Sequence, residues 1–495
     1  MSRSRVHWTI VWLLVTLVLG VAKLAPALSV FDQLDLLVDV RHEIVSNYVE
    51  EPKQDEMVRA AVRGMVESLD DPYTVYISPD ELEPFDKAVR GSFSGIGAEV
   101  DIHENRLRIV SPLEDSPAWK AGVMAGDIVL EIDGVSTEGL KITECIQKLT
   151  GEEGTDVTIK VRHESGEEVV LTITRARISV QTVRGFLRGD DGKWDYMLDD
   201  ARGIGYVRIT QFTDQTAEAM TQAVGELVAR DAKAIILDMR FNPGGLLESA
   251  VEVSDLFLGE GKRIVSIKGR RVPEVVHSAK DDGTIPEVPM VVLANDASAS
   301  AAEIVTGALS DNDRAVFIGT RTFGKGSVQQ VRMLESNAGA IKITNAYYYL
   351  PNGRNIHRRE NADVWGVDPT PGFYVPMTPE QTRTLLKARR ESDVLKPGNG
   401  NHNGSVTPAW IREHLADPQL AAAVDAAIGK LDTGDWPKVG QDGTDELVKV
   451  AKRQSLITQR DLLKDRLATV EAELAKLEGD APAEDAPADD AAPSE

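Results

Sequence analysis

The sequence predicts an α/β layered domain joined to a compact strand-rich module, with helical segments before and after them. The first observation is alternation. Beyond residue 179, apolar strand-like runs at Ile204–Ile209, Ala234–Asp238, Val288–Leu293 and Ala315–Ile318 alternate with helix-like stretches at Thr216–Ala229, Leu247–Phe257 and Ser300–Leu309. The second is the run between Gly91 and Ile178. There, short strand-like segments (Leu107–Val110, Ile128–Ile132, Val157–Val161, Val169–Ile173) surround a single helical stretch, Lys141–Leu149. The third is size: 495 residues with 42% apolar content are enough for about two to four globular domains.

The chain starts Met-Ser-Arg-Ser-Arg, followed by a mainly apolar run from Trp8 to Ala22, then Lys23 and Ala25-Pro-Ala27. Residues 1–28 therefore read as a signal peptide or as a retained N-terminal membrane anchor, and both place the body outside the cytoplasm, in the periplasm or cell envelope. Residues 29–90 show two helical runs, Phe31, Leu34, Val38, Val45 and Tyr48, then Met57, Ala61, Met65 and Leu69. They predict packing helices, the second ended by Asp70-Asp71-Pro72 because proline disfavours helix in the residue before it.

Residues 91–178 form the strand-rich module and 179–376 the α/β domain. Residues 377–453 read as a polar extension with a flexible linker at Pro397-Gly-Asn-Gly-Asn-His-Asn-Gly-Ser405. Leu456, Leu463, Leu467, Val470, Leu474 and Leu477 give 454–478 the spacing of an amphipathic or coiled-coil helix, and 479–495 is a disordered acidic tail. The apolar stripes at both ends predict a homodimer. A net charge of −24 argues against a nucleic-acid partner. The single cysteine, Cys145, rules out an intrachain disulfide, and its helical spacing with Ile142, Ile146 and Leu149 makes it a core residue.

Two segments carry chemistry. Ser298-Ala-Ser300-Ala-Ala-Glu303 follows an apolar strand and opens a helix, a geometry that exposes a nucleophile. Ser300-x-x-Glu303 is also a capping box, and the two roles are compatible because a helix N-terminus favours the negative charge of acyl transfer. Gly319-Thr-Arg-Thr-Phe-Gly-Lys325-Gly326-Ser nearly matches a phosphate-binding loop, but Gly326 stands where a magnesium-binding hydroxyl is required. Lys325 fits a general base better: flanking glycines allow close backbone approach, and Phe323 can desolvate the amine, which disfavours its charged form. Gln329 shares a strand face with Lys325 but lies roughly 13 Å away along a straight strand, so contact needs a bend at Gly326. The glycine turn Asn242-Pro-Gly244-Gly245, with the Ala301 amide, supplies donors for an oxyanion. His357 and His277 are the alternative bases in the α/β body.

Asp238-Met-Arg-Phe-Asn-Pro-Gly-Gly245, Ser298-Ala-Ser-Ala-Ala-Glu303 and Thr322-Phe-Gly-Lys-Gly-Ser-Val-Gln329 resemble motifs of the C-terminal-processing, or tail-specific, peptidases over about Phe31 to Pro376. Ala297 and Ala302 depart from the usual pattern without touching the catalytic positions. The resemblance implies a crotonase-like (ClpP/crotonase-type) α/β core with an inserted PDZ domain. It implies Ser300 as nucleophile, Lys325 as base and Gln329 as the residue that orients the lysine. Gly95-Ile96-Gly97-Ala98 then looks like the PDZ carboxylate loop, and Ser116-Pro-Ala-Trp-Lys-Ala-Gly122 with Gly126-Asp127 like its hallmark turn, glycines exposing amides that hold a terminal carboxylate. Expected partners are proteins or peptides with free C-termini and a regulatory adaptor protein; no metal or cofactor is expected. A catalytically silent PDZ adaptor and an acyl-CoA enzyme on the same core are the competing readings.

Overall fold

The computed structural model describes residues 34–82, 85, 92–179, 181–189, 193–280, 285, 287–359, 362, 364–394, 406–442 and parts of 449–471. The signal or anchor segment, the glycine-asparagine linker and the acidic tail, with Leu474 and Leu477, lie outside the described residues. The chain divides into two units, residues 1–83 with 329–344, and residues 84–328 with 345–495.

In the first unit, a helix over residues 34–47 and the helix Gln54–Glu67 follow the two apolar runs. Their packing differs from the expectation: Gln54–Glu67 buries no residue, and Leu36, Val38, Tyr48 and Met65 are exposed. The second helix stops at Glu67, before the proline, and the chain turns where Asp71 accepts the Tyr73 amide and the Thr74 hydroxyl. It then pairs the strand Val75–Ile77 antiparallel with Ala340–Lys342. Among the described residues no helix is long and apolar enough to cross a membrane.

The second unit is built on a six-stranded sheet whose centre is parallel, in the order Ile204–Ile209, Ala234–Asp238, Met290–Ala294, Val316–Gly319. These strands are buried on both faces, as continuous Val/Ile/Leu runs require. Alternation decides which side chain goes where: Ile235, Leu237 and Val292 meet the helices Thr216–Ala229, Leu247–Asp255 and Ala301–Asp311, while Ile236, Val291 and Leu293 point the other way. That other face is covered by a helix the polar reading of 377–453 gave no hint of, Pro418–Thr433, through Leu420 to Val424, Ala426 and Ala427. Pro379–Asp393 and Pro408–His414 are also helices.

Within the same unit the strand-rich module is an antiparallel sheet in the order Ala98–His103, Arg106–Pro112, Ile128–Ile132, Asp156–Arg162, Glu168–Thr174, with the helix Ile142–Leu149. Leu107, Ile109, Val129, Ile159 and Val161 form its core with Cys145, which is buried as expected and whose thiol burial pushes up. Gly97 (φ 76°) carries the loop over Ser116, where a Cβ would come within 2.4 Å of the serine Cβ. Leu113 donates its amide to the Gly97 carbonyl, and Glu114 pairs with Arg188 of the α/β domain at 2.8 Å.

Candidate active site

Met290–Ala294 ends in a turn that is tied down atom by atom. The Ser298 hydroxyl accepts the Asn295 amide at 2.8 Å and donates to the Met239 carbonyl at 2.9 Å, while Asn295 Oδ1 accepts the Phe241 amide at 3.0 Å. The Ala299 amide donates to the Asn242 carbonyl at 2.9 Å. So fixed, the chain enters Ser300 at φ 57° and ψ −116°, on the side of the map an L-residue seldom takes, and then starts the helix Ala301–Asp311. Such a conformation costs about 1–3 kcal/mol and survives where its surroundings over-determine it. Ser300 is half-buried.

Ser300 and Glu303 do stand in capping-box relation, but the box serves a wider purpose. The Glu303 amide donates to the Ser300 carbonyl at 2.9 Å. The Glu303 carboxylate is fully buried and accepts four hydrogen bonds. Oε2 takes the Ser300 amide and the Lys325 amide, each at 2.8 Å, and Oε1 takes the Gly324 amide at 2.7 Å and the Thr322 hydroxyl at 2.6 Å. One oxygen atom thus joins the main chains of the expected nucleophile and the expected base. Burial pushes the Glu303 carboxyl up to about 7, against the pull of its four donors.

Lys325 is half-buried between two glycines that must be glycines. A Cβ on Gly324 would meet Trp365 Cδ1 at 2.7 Å, and one on Gly326 would meet the His357 amide nitrogen at 2.5 Å. The Lys325 carbonyl accepts the Tyr348 hydroxyl. Phe323, expected to desolvate the lysine, is 40% exposed, and its amide donates to the Ser298 carbonyl at 3.0 Å. His357 packs its ring on Tyr347 at 5.0 Å, and His277 lies on the edge strand Val275–Ser278 of a second sheet. Gln329 falls in the first unit, where its Nε2 donates to Thr344 Oγ1 at 3.2 Å.

The glycine turn lies against the serine. A Cβ on Gly244 (φ 96°) would stand 2.7 Å from Ser300 Cβ and 2.9 Å from the Ala301 nitrogen, and one on Gly245 (φ 147°) would fall on the Phe212 carbonyl oxygen. The Gly244 amide is taken up by Asn242 Oδ1 at 2.8 Å.

Behind the turn, Arg240 reaches Asp238 and Asp417, all three buried, and Arg389 also meets Asp238. Burial alone would raise the Asp238 carboxyl, but the Arg240 and Arg389 guanidiniums hold it well below the usual carboxylate range. The sequence reading gave no role to the Glu303 tether, the Asn242 side chain, the Thr322 hydroxyl or Asp417. Only Asp417-Pro418 before an alanine-rich run, a helix-start signal, was there to be used. Among the described residues no group of three or more His, Cys, Asp or Glu could hold a metal ion.

Residues 203–370 match the model of peptidase family S41, residues 108–163 that of a PDZ domain, and residues 25–81 that of the N-terminal domain of the activating protease CtpB. The chain is 34% identical over 421 residues to a carboxy-terminal-processing protease of Bartonella bacilliformis, covering 83% of this chain and 91% of that one. It is likewise 34% identical to the carboxy-terminal processing protease CtpA of Bacillus subtilis, covering 69% and 70%. Among solved structures it is similar to the photosystem II D1 C-terminal processing protease, with 28% identity, a TM-score of 0.40, and coverage of 69% of this chain and 86% of that one. The chain therefore belongs to the carboxy-terminal-processing proteases of peptidase family S41, and is a serine peptidase with a PDZ domain.

Proposed function

We propose that this peptidase cleaves peptide bonds with Ser300 as nucleophile and Lys325 as general base, on a crotonase-like core. The observation that carries the proposal is the shared contact of the Ser300 and Lys325 amides on Glu303 Oε2, which holds the two segments in register. Ser300 Oγ attacks the substrate carbonyl while Lys325 Nζ takes its proton and passes it to the leaving amine; water then hydrolyses the acyl-enzyme by the reverse transfer. Gln329 orients the lysine amine. The oxyanion is received by the amides of Gly245 and Ala301, with Gly244 serving close packing because its own amide is engaged by Asn242.

Free C-termini of exported proteins are the substrates in this reading, captured at the Gly95–Ala98 loop, and the link from that loop through Leu113 and Glu114 to Arg188 lets capture act on the protease domain. A fluorophosphonate probe should label the wild type and not Ser300→Ala. Peptides with free C-termini should be cut faster than their amidated forms, and deleting residues 92–177 should abolish that difference. A silent adaptor would show neither labelling nor cleavage.

A further inference from the structure

Residues 356–358 lie flat against the segment that carries the base. The Arg358 amide donates to the Gly324 carbonyl at 2.8 Å, and the main chain of His357 fills the space where Gly326 lacks a Cβ. Arg358 and its neighbour Arg359 are both exposed. Each guanidinium is laid over an aromatic ring, Arg358 at 4.9 Å from the Trp365 centroid and Arg359 at 5.6 Å from that of Tyr347. Two other arginines nearby, Arg321 and Arg354, share the single carboxylate of Asp368, and Arg321 also lies 4.7 Å from the Trp365 centroid. Neither Arg358 nor Arg359 meets a carboxylate among the described residues, in a chain whose net charge is −24.

We propose that Arg358 and Arg359 form an acid-selecting subsite beside the scissile bond, which receives a carboxylate side chain of the peptide substrate. A guanidinium drawn over a ring by cation–π attraction keeps its N–H donors, which can grip a carboxylate with two parallel hydrogen bonds. Holding the arginine on the ring beforehand also removes much of the side-chain entropy such a contact would otherwise cost. The position next to Gly324–Gly326 puts the subsite within a few residues of the bond attacked by Ser300, so the inference rests on the Ser300/Lys325 reading.

The test uses the full chain and peptides that differ only by Asp or Asn at each position within about four residues of the cut, the span an arginine side chain can cover along an extended peptide. The ratio of kcat/KM for the Asp and Asn peptides is measured for the wild type, R358A/R359A and R358E/R359E. At one position at least the wild-type ratio should be about ten, a charge-assisted contact being of that size. It should fall toward one in the alanine variant and below one in the glutamate variant. Binding of the same peptides to Ser300→Ala, read by fluorescence anisotropy, should show the same ordering whether or not turnover occurs. A wild-type ratio near one at every position, or a ratio unchanged in R358A/R359A, overturns the subsite. Ordered binding with no cleavage by the wild type counts against the catalytic reading alone.

Discussion

Asp417 caps a helix and clamps Arg240 with one carboxylate: Oδ1 lies 2.9 Å from the Leu420 amide and 2.7 Å from Arg240 Nη1, and Oδ2 lies 2.8 Å from Arg240 Nη2. Arg240 is two residues from Asn242, whose side chain holds the glycine turn. Asp417→Asn leaves Asp238 alone against the buried guanidiniums of Arg240 and Arg389, one positive charge in excess, and breaking a buried pair from one side costs about 3–5 kcal/mol. Urea denaturation should show that loss. An unchanged midpoint would mean that Arg240 finds its compensation elsewhere.

Glu303→Gln keeps the shape of the side chain and sets an NH2 donor among groups that are all donors. Peptide hydrolysis should fall by about tenfold or more, since each tenfold corresponds to only about 1.4 kcal/mol of lost register. The carboxyl also makes stability depend on pH. Its folded value of about 7 lies above the ordinary 4.5, so the folded chain holds this proton more tightly. The stabilisation it gives is complete in acid and is lost as pH rises through about 7, by up to about 3 kcal/mol. Between about pH 4 and about pH 8 the wild type should therefore lose stability relative to Glu303→Gln, as measured by paired denaturation curves.

Lys325→Ala and Lys325→Arg should both abolish hydrolysis, by roughly 10⁴ to 10⁶ in kcat, whereas His357→Ala and His277→Ala should retain much of it. Arginine stays protonated at any working pH, so this change tests basicity rather than size or charge. Substantial turnover by Lys325→Arg would sink the dyad.

The exposed apolar residues of the helix over 34–47 that share a face, Leu34 at 48% and Val38 at 62%, predict a homodimer through this face, with Leu463 and Leu467 adding a second contact. Sedimentation at micromolar concentration should give a dimer. Replacing Leu34 and Val38 by Glu should give a monomer; a wild-type monomer would remove the idea.

Glu114→Ala should leave the PDZ loop intact but weaken the response of cleavage to a free C-terminus, since it removes the ion pair with Arg188. The readout is the rate ratio between free and amidated peptides, expected to drop toward one.

Periodicity was enough for the central strands. Ile204–Ile209, Ala234–Asp238 and the helix Thr216–Ala229 have the limits read from the sequence: two apolar runs short enough to be strands, and a longer segment with a helical apolar repeat between them. The third strand begins at Met290 rather than Val288, since Pro289 between them has no N–H to give a ladder. The C-terminal helix Pro418–Thr433 escaped notice because its buried face is mostly alanine, which fills a shallow gap without the large side chains that mark a core. At the site, the serine and lysine segments were legible as motifs. The tether was not: Ser300-x-x-Glu303 reads locally as a cap, and only tertiary structure brings Thr322, Gly324 and Lys325 to the same carboxylate.

The clamp on Arg240 also sets an order of events during biosynthesis. The ribosome makes Arg240 and its glycine turn 177 positions before Asp417, so Arg240 lacks its second buried counter-charge until Asp417 has emerged. A nascent chain that already contains Ser300 and Lys325 thus still lacks part of the buried charge network behind the glycine turn.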